Sequence, residues 1–440
     1  MKIAFLTYSN HGHMQTMIAL AQQLKERGHD VCFIGTLDGE PFARAAGIPF
    51  LPFCEGEYPL GSTREIFRQL GRLQGQEALE FSIRLIADDL AASFRHLPGV
   101  LKSANFDAIV LDELKTGLGL VPRHMGIPYI HVSSAIHLDY SGSTPLCVFD
   151  WPHDPSEQGL ARNKAGLQGF MQAYEPVISV ARSYSREIGA DIDWSNLFAT
   201  LSELAWITQI PAAFDFPSVG MPRQFHHIGP LQHAEGRIES NFPWHLLTGE
   251  PLIYASMGTL QNGLESVFST IVEAVGARPG FQLVLSVGPE IDLGKIAPLP
   301  PNAVMVRYAP QLELLKRAHL CITHAGLNTT LESLAHGVPL VAIPVTNDQP
   351  GVAARIAHSE TGLFVPLLEL TVPKLRRLID QLLSNPEYKR NAQKMGVLIT
   401  KENKALEAAE FIERLIARVI TADSALRISS RNSGRPIRFC

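Results

Sequence analysis

The sequence predicts an α/β protein built as two domains, and three observations carry that prediction. At 440 residues the chain exceeds what one hydrophobic core ordinarily organises, and 46% apolar residues are ample to fill two. A strand-turn-helix pattern opens the chain at 2–27, and a second one opens at 252–275. Both are followed by further short apolar runs alternating with helical periodicity, the pattern of strands joined by crossover helices.

The elements follow in order. Residues 2–7 (KIAFLT) form an apolar run ended by Ser9, Asn10 and Gly12, and the spacing of Met14, Met17, Ile18, Ala21 and Leu24 predicts a helix over 14–27. Gly28 ends it, and HDVCFIG supplies a second strand, so the first forty residues read as a βαβ unit with a parallel pair. The turn SNHGHMQ lacks the GxGxxG fingerprint, and apart from Asp38 in a turn no acidic residue follows the second strand, which argues against a nicotinamide dinucleotide. Residues 41–47 read as a short helix, IPFLPF as a third strand, and 62–97 as largely helical, with Arg64, Arg68, Arg72 and Arg84 as a solvated face. FDAIVLD is a strand closing on Asp112, and IPYIHVS is the next.

Residues 137–200 carry no clean period; Tyr140, Phe149, Trp151, Phe170 and Tyr174 there suit a pocket for a large apolar ligand, although aromatic residues at such spacing are more often plain core. Asp191 and Asp193 form a DxD far from any phosphate-binding turn and read as a solvated loop. LAWITQIPAAFDFP reads as the last strand of the first domain and its exit. His226 and His227 face opposite ways in an extended segment and have no evident third metal ligand. The first domain is therefore expected over 1–232, with a polar, turn-rich linker at 233–250. The second is expected over 251–402, a returning helix over 403–422, and a disordered tail with Arg427, Arg431, Arg435 and Arg438 over 423–440.

Composition excludes several classes. A net charge of −5 gives no electrostatic footprint for nucleic acid. The five cysteines are scattered and odd in number, so neither a disulfide framework nor a Cys-based metal site is visible, as in a reducing cytoplasm. MKIAFLTYSN has no signal-peptide pattern and no apolar run approaches the ~20 residues of a spanning helix, so a cytoplasmic protein is expected.

The most informative stretch is 308–349, YAPQLELLKRAHLCITHAGLNTTLESLAHGVPLVAIPVTNDQ. LCIT reads as a buried strand, and AGLNTTLESLAH as a turn opening into a helix. His324 then stands at the strand end before a helix N-terminus, where unpaired N–H groups and the partial positive charge favour an anion, and Gly326 permits close approach. Asn328, Thr329 and Thr330 add donors, and Glu332 can accept from sugar hydroxyls. A nucleotide or nucleotide sugar fits.

This order of groups resembles the donor signature of the inverting UDP-glycosyltransferases of GT-B fold, which implies two facing Rossmann-like domains and a C-terminal helix crossing back to the first. The resemblance implies that Tyr308 stacks on uracil and Gln311 contacts it. It puts His324, Asn328 and Thr329 on the diphosphate, Glu332 on the ribose, and Asp348 and Gln349 on the sugar hydroxyls. Ser256, Gly258 and Thr259 match the Ser-x-Gly-Ser/Thr that meets the diphosphate from the other side. Tyr308 replaces a Trp but keeps a π-face, and Leu327 replaces a second Trp, as in a bacterial branch. More narrowly, TNDQPGVAARI and FDFP…FHHIGPL resemble zeaxanthin glucosyltransferase-like and macrolide-type bacterial enzymes.

The same resemblance chooses His13 over His11 as the base and Asp112 over Asp107 and Glu113 as its orienting carboxylate. The helix N-terminus is expected to keep His13 neutral near pH 7. The implied partners are a UDP-sugar co-substrate, with glucose as the default, and a small hydroxylated apolar acceptor such as a carotenoid or a flavonoid. A carotenoid would imply peripheral membrane contact. No metal or other cofactor is expected. A UDP-GlcNAc 2-epimerase-type enzyme and a non-catalytic nucleotide-sugar-binding protein are the rival readings.

Overall fold

The structure is a computed structural model that describes all residues but 72, 74, 232–240, 259–264, 277, 289–290, 402–403 and 434–440, with side chains as far as Thr421. It contains two sheets, each entirely parallel. The first takes β1 (Lys2–Leu6), β2 (Asp30–Gly35), β3 (Phe50–Pro52), β4 (Ala108–Asp112), β5 (Tyr129–Ser133), β6 (Trp206–Thr208) and β7 (Phe225–His227), in the order β3-β2-β1-β4-β5-β6-β7. The second takes β8 (Leu252–Ser256), β9 (Gln282–Ser286), β10 (Ala303–Val306), β11 (Ala318–Thr323), β12 (Leu340–Ala342) and β13 (Gly362–Phe364), in the order β10-β9-β8-β11-β12-β13.

In each sheet the strand order reverses once, between β1 and β4 and between β8 and β11. Connections leaving such a pair diverge to opposite faces and open a crevice at the carboxyl ends of the strands, which is where ligands bind in open parallel sheets. This is the doubly wound α/β fold expected from sequence, present twice.

Burial follows the strand period. Ile3 and Phe5 on β1 join Met17 and Leu20 of the His11–Glu26 helix on one face, while Ala4 and Leu6 join Leu90, Phe94 and Leu97 of the Gly75–Ala104 helix on the other. Each of these Ile, Leu, Met and Phe side chains contributes roughly 1.5–3 kcal/mol on burial. The Lys404–Ser433 helix lays Ala405, Ala408, Ala409, Ile412 and Ile416 on the first of these faces, and Arg27 reaches its Glu410 and Glu413 at 3.2 and 2.6 Å. One apolar cluster also runs between the halves, from Leu146 and Cys147 to Ala325, Leu327 and Val352.

Several expectations are corrected. The strand within LAWITQIPAAFDFP is not the last of the first sheet: Phe225 to His227, beyond that stretch, pair with β6 and add β7. His226 packs on Phe411 while the His227 ring lies against the Ile210 carbonyl at 3.0 Å, so the two do face opposite ways. The last helix runs past 422 to Ser433, since the Ala, Leu and Arg of this segment are good helix formers. The rest of the tail, and linker residues 233–240, lie outside the described residues. The short helix Leu120–Met125 and the helix Gln349–His358 went unread in the sequence. Finally, the fold gathers Cys54, Glu57 and His96 within 4.8 Å, a grouping that cysteine spacing did not reveal. The Glu57 carboxylate there already accepts from Arg95 and His96, at 3.0 and 2.9 Å.

Candidate active site

A cavity of about 1090 Å³ lies between the carboxyl edges of the two sheets, and both reversal points open into it. From the first half, Asn10 caps the His11–Glu26 helix by accepting from the His13 N–H at 3.0 Å, which draws His11, Gly12 and His13 into the helix's first turn. His11 and His13 both line the cavity. The His13 Nδ1 lies 2.6 Å from Asp112 Oδ2, at the end of β4. That carboxylate, fully buried, also accepts from Thr7 Oγ1 at 2.6 Å, Ser134 Oγ at 2.9 Å and the Leu114 N–H at 3.2 Å.

A carboxylate so surrounded only accepts, so the His13 proton sits on Nδ1 and leaves Nε2 to accept one. Burial works to lower the imidazole and to raise the carboxyl. Their mutual charge and hydrogen bond outweigh it, so His13 is raised above 6.5 and Asp112 held below the usual carboxylate range. This corrects the expectation that the helix N-terminus dominates: Asp112 in direct contact outweighs a partial charge spread over a turn.

The competing carboxylates are elsewhere. Asp107 accepts from the Lys2 N–H at 2.7 Å, at the opposite edge of the sheet. Glu113 turns behind β4, bonded to Ser133 and to the Leu138 N–H, and burial pushes it up to about 7. Asp193 is tied to its own turn through Ser195 at 2.9 and 2.6 Å.

From the second half, Ser256, Gly258, Tyr308, Gln311, His324, Gly326, Asn328, Thr329, Glu332, Asp348 and Gln349 all reach the cavity wall. Thr259 lies outside the described residues. His324 is clamped between two glycines: a Cβ at Gly258 would meet its ring at 2.5 Å, and one at Gly326 would lie 2.5 Å from its Nε2. The left-handed residue of this turn is Ala325 (φ 66°), so Gly326 serves clearance for the ring rather than backbone conformation. Burial pushes His324 down to about 4, leaving a neutral ring that can donate one hydrogen bond. Beyond it the Leu327–Ala335 helix starts without a side-chain cap, so its first N–H groups are available to an anion.

Gln311 donates to Glu332 at 2.7 Å and accepts from the Tyr254 hydroxyl at 3.1 Å, which fixes both side chains on one wall. Tyr308, 46% exposed, offers an open ring face beside them. Asp348 accepts from the Ile136 N–H at 3.2 Å across the crevice, and burial raises its carboxyl. Gln349 caps its own loop, accepting from the Val345 and Thr346 N–H groups at 2.8 and 3.1 Å.

The Asn328 side chain does more than line the cavity. Its amide donates to the Gly12 carbonyl at 3.0 Å and accepts from Gln209 at 3.1 Å; Gln209, fully buried, also donates to the Ser134 carbonyl at 2.5 Å. The Leu327–Ala335 helix is thereby tied to the turn that carries His13. Gln209, Arg307 and Trp244 were missed in the sequence. Arg307 and Trp244 reach the cavity from the end of β10 and from the segment before β8, and no short motif marks any of the three.

Comparisons with known proteins agree with this fold. Residues 180–418 match the family described as UDP-glucoronosyl and UDP-glucosyl transferase. The chain is 28% identical over 411 residues to a zeaxanthin glucosyltransferase of Pantoea ananas, covering 92% of this chain and 94% of that one. It is 32% identical over 421 residues to an uncharacterised UDP-glucosyltransferase of Bacillus subtilis, covering 94% and 98%. Among solved structures it is similar to the calicheamicin glycosyltransferase CalG4, with a TM-score of 0.72 at 19% identity over 95% of this chain and 98% of that one. Two parallel domains meeting over a cavity, a match through more than half the chain, and near-full-length similarity above 30% lead to one conclusion: this chain belongs to the UDP-glucoronosyl and UDP-glucosyl transferase family and is a UDP-glycosyltransferase of GT-B type.

Proposed function

We propose that the enzyme is an inverting O-glycosyltransferase that moves a sugar, glucose by default, from UDP to a hydroxyl of a small apolar acceptor such as a carotenoid or a polyphenol. The observation that carries the mechanism is the His13–Asp112 pair, at 2.6 Å, opening onto the same cavity as the donor wall. His13 Nε2 takes the acceptor hydroxyl proton as the oxygen attacks the anomeric carbon. Asp112 holds the tautomer and stabilises the imidazolium that forms. Uracil stacks on Tyr308 beside Gln311, the ribose bonds Glu332, and the sugar hydroxyls meet Asp348 and Gln349.

As the glycosyl bond breaks, negative charge grows on the β-phosphate. The uncapped helix start at Asn328 and Thr329, with His324 and Ser256, stabilises it, which is why we propose that no metal is required. Epimerisation of the nucleotide sugar alone would leave the apolar first-domain wall of Ile66, Phe67, Ile83, Ile86 and Phe170 without a role, so transfer is the better reading. The test is a screen of UDP-sugars against hydroxylated apolar acceptors read by product mass. Sugar-plus-acceptor products that require UDP-glucose support the proposal; an altered UDP-sugar formed without acceptor would replace it with epimerisation.

A further inference from the structure

Apart from His11 and His13, the charged side chain that the first domain brings to the cavity wall, among the described residues, is Asp89. It sits on the Gly75–Ala104 helix, which also brings Leu79, Ile83 and Ile86 to the wall, and its Oδ2 lies 2.8 Å from Lys115 Nζ. Lys115 stands behind the wall, 3% exposed, three residues past Asp112. Its ammonium lies 4.4 Å from the centre of the Tyr8 ring, whose edge meets His13 at 5.8 Å between ring centres. The base and the carboxylate therefore share one wall, separated by a tyrosine and an ammonium.

Stability does not account for this pair, because desolvating two charges roughly offsets their attraction. Its chemistry points to a ligand. Lys115 already balances the charge, so a cationic acceptor group is not required, while the carboxylate keeps lone pairs for neutral donors. The Tyr8 hydroxyl beside it is committed to the Leu114 carbonyl at 3.2 Å.

We propose that Asp89, held by Lys115, is a specificity-determining subsite that accepts a hydrogen bond from a second, neutral hydroxyl of the acceptor, so that the enzyme selects apolar diols over the matching mono-ols. The inference rests on the proposed transfer reaction. A hydrogen bond to a charged group is worth about 1.5–3 kcal/mol, or roughly ten- to a hundredfold in selectivity.

The test compares a para,para′-dihydroxylated stilbene with its monohydroxylated counterpart, using UDP-glucose and wild-type enzyme, Asp89→Asn, Asp89→Leu and the double variant Asp89→Leu/Lys115→Met. The double variant removes the pair without leaving a buried charge, and UDP binding reports that each variant is folded. Wild type should favour the diol at least about tenfold in kcat/KM beyond the statistical factor for two hydroxyls. Asp89→Asn should keep part of that preference, while Asp89→Leu and the double variant should lose it with an unchanged KM for UDP-glucose. A diol preference that is absent in wild type, or that persists in the double variant, overturns the subsite and leaves the transfer reaction standing. Wild-type enzyme that binds UDP but glycosylates neither compound contradicts the transfer reaction, and the subsite with it.

Discussion

At the scale of single residues, the His13–Asp112 contact sets the pH dependence. The proposed base, His13, would work unprotonated, and Asp112 holds its conjugate acid above 6.5, so kcat/KM should rise with pH through that raised value. In Asp112→Asn the main raising charge is gone, leaving burial and Lys115 to lower the imidazole against Asp348 alone, so the acid limb should move to lower pH while the maximal rate falls roughly a hundredfold or more. A pH profile of both enzymes checks this; a limb that stays in place would mean that Asp112 does not tune the base. His13 was legible in the sequence only through the family likeness, since two histidines shared the turn and nothing local ranked them. Its raised pKa was not legible, because the deciding partner lies ninety-nine positions away and reaches it only through the pairing of β1 with β4.

At the scale of elements, the strand-turn-helix from β11 into Leu327–Ala335 does two jobs, holding a neutral His324 and presenting uncapped N–H groups. Both depend on clearance. Gly326→Ala would place a Cβ 2.5 Å from His324 Nε2, so the ring must move. UDP affinity, measured by calorimetry, should fall about tenfold or more, as for a lost hydrogen bond to a charged group. The melting temperature should change little, because the ring borders the cavity; unchanged affinity would remove His324 from the donor site. The strands and longer helices were legible because apolar runs and 3.6-residue periodicity are local signals. The three-residue β7 and the Gln349–His358 helix were not: the first exists by pairing with β6, and Pro350 and Gly351 disguise the second's first turn.

At the scale of the whole molecule, the halves are joined by more than apolar contact. The Arg355 Nε lies 2.7 Å from Asp215 Oδ1 across the interface, both nearly fully buried, with His137 and His227 at 3.5 and 3.7 Å from the other carboxylate oxygen. Arg355→Met would leave that carboxylate without its main counter-charge, and the unfolding free energy should drop by about 3–5 kcal/mol. Urea titration followed by tryptophan fluorescence reads this, since Trp206 is fully buried in the first half. The two-domain plan was legible from length and from the repeated strand-turn-helix opening. The contacts across the crevice, from Asn328 to Gly12 and from Gln209 to Asn328, were not, because no periodicity spans two separately wound sheets.

The joined halves bring the proposed base, His13, to the proposed donor site, and a single substitution tests that most directly. With UDP-glucose and an accepted phenol, His13→Ala should bind UDP as the wild type does and lose roughly a hundredfold or more in kcat. Turnover undiminished in His13→Ala would contradict the account at its centre.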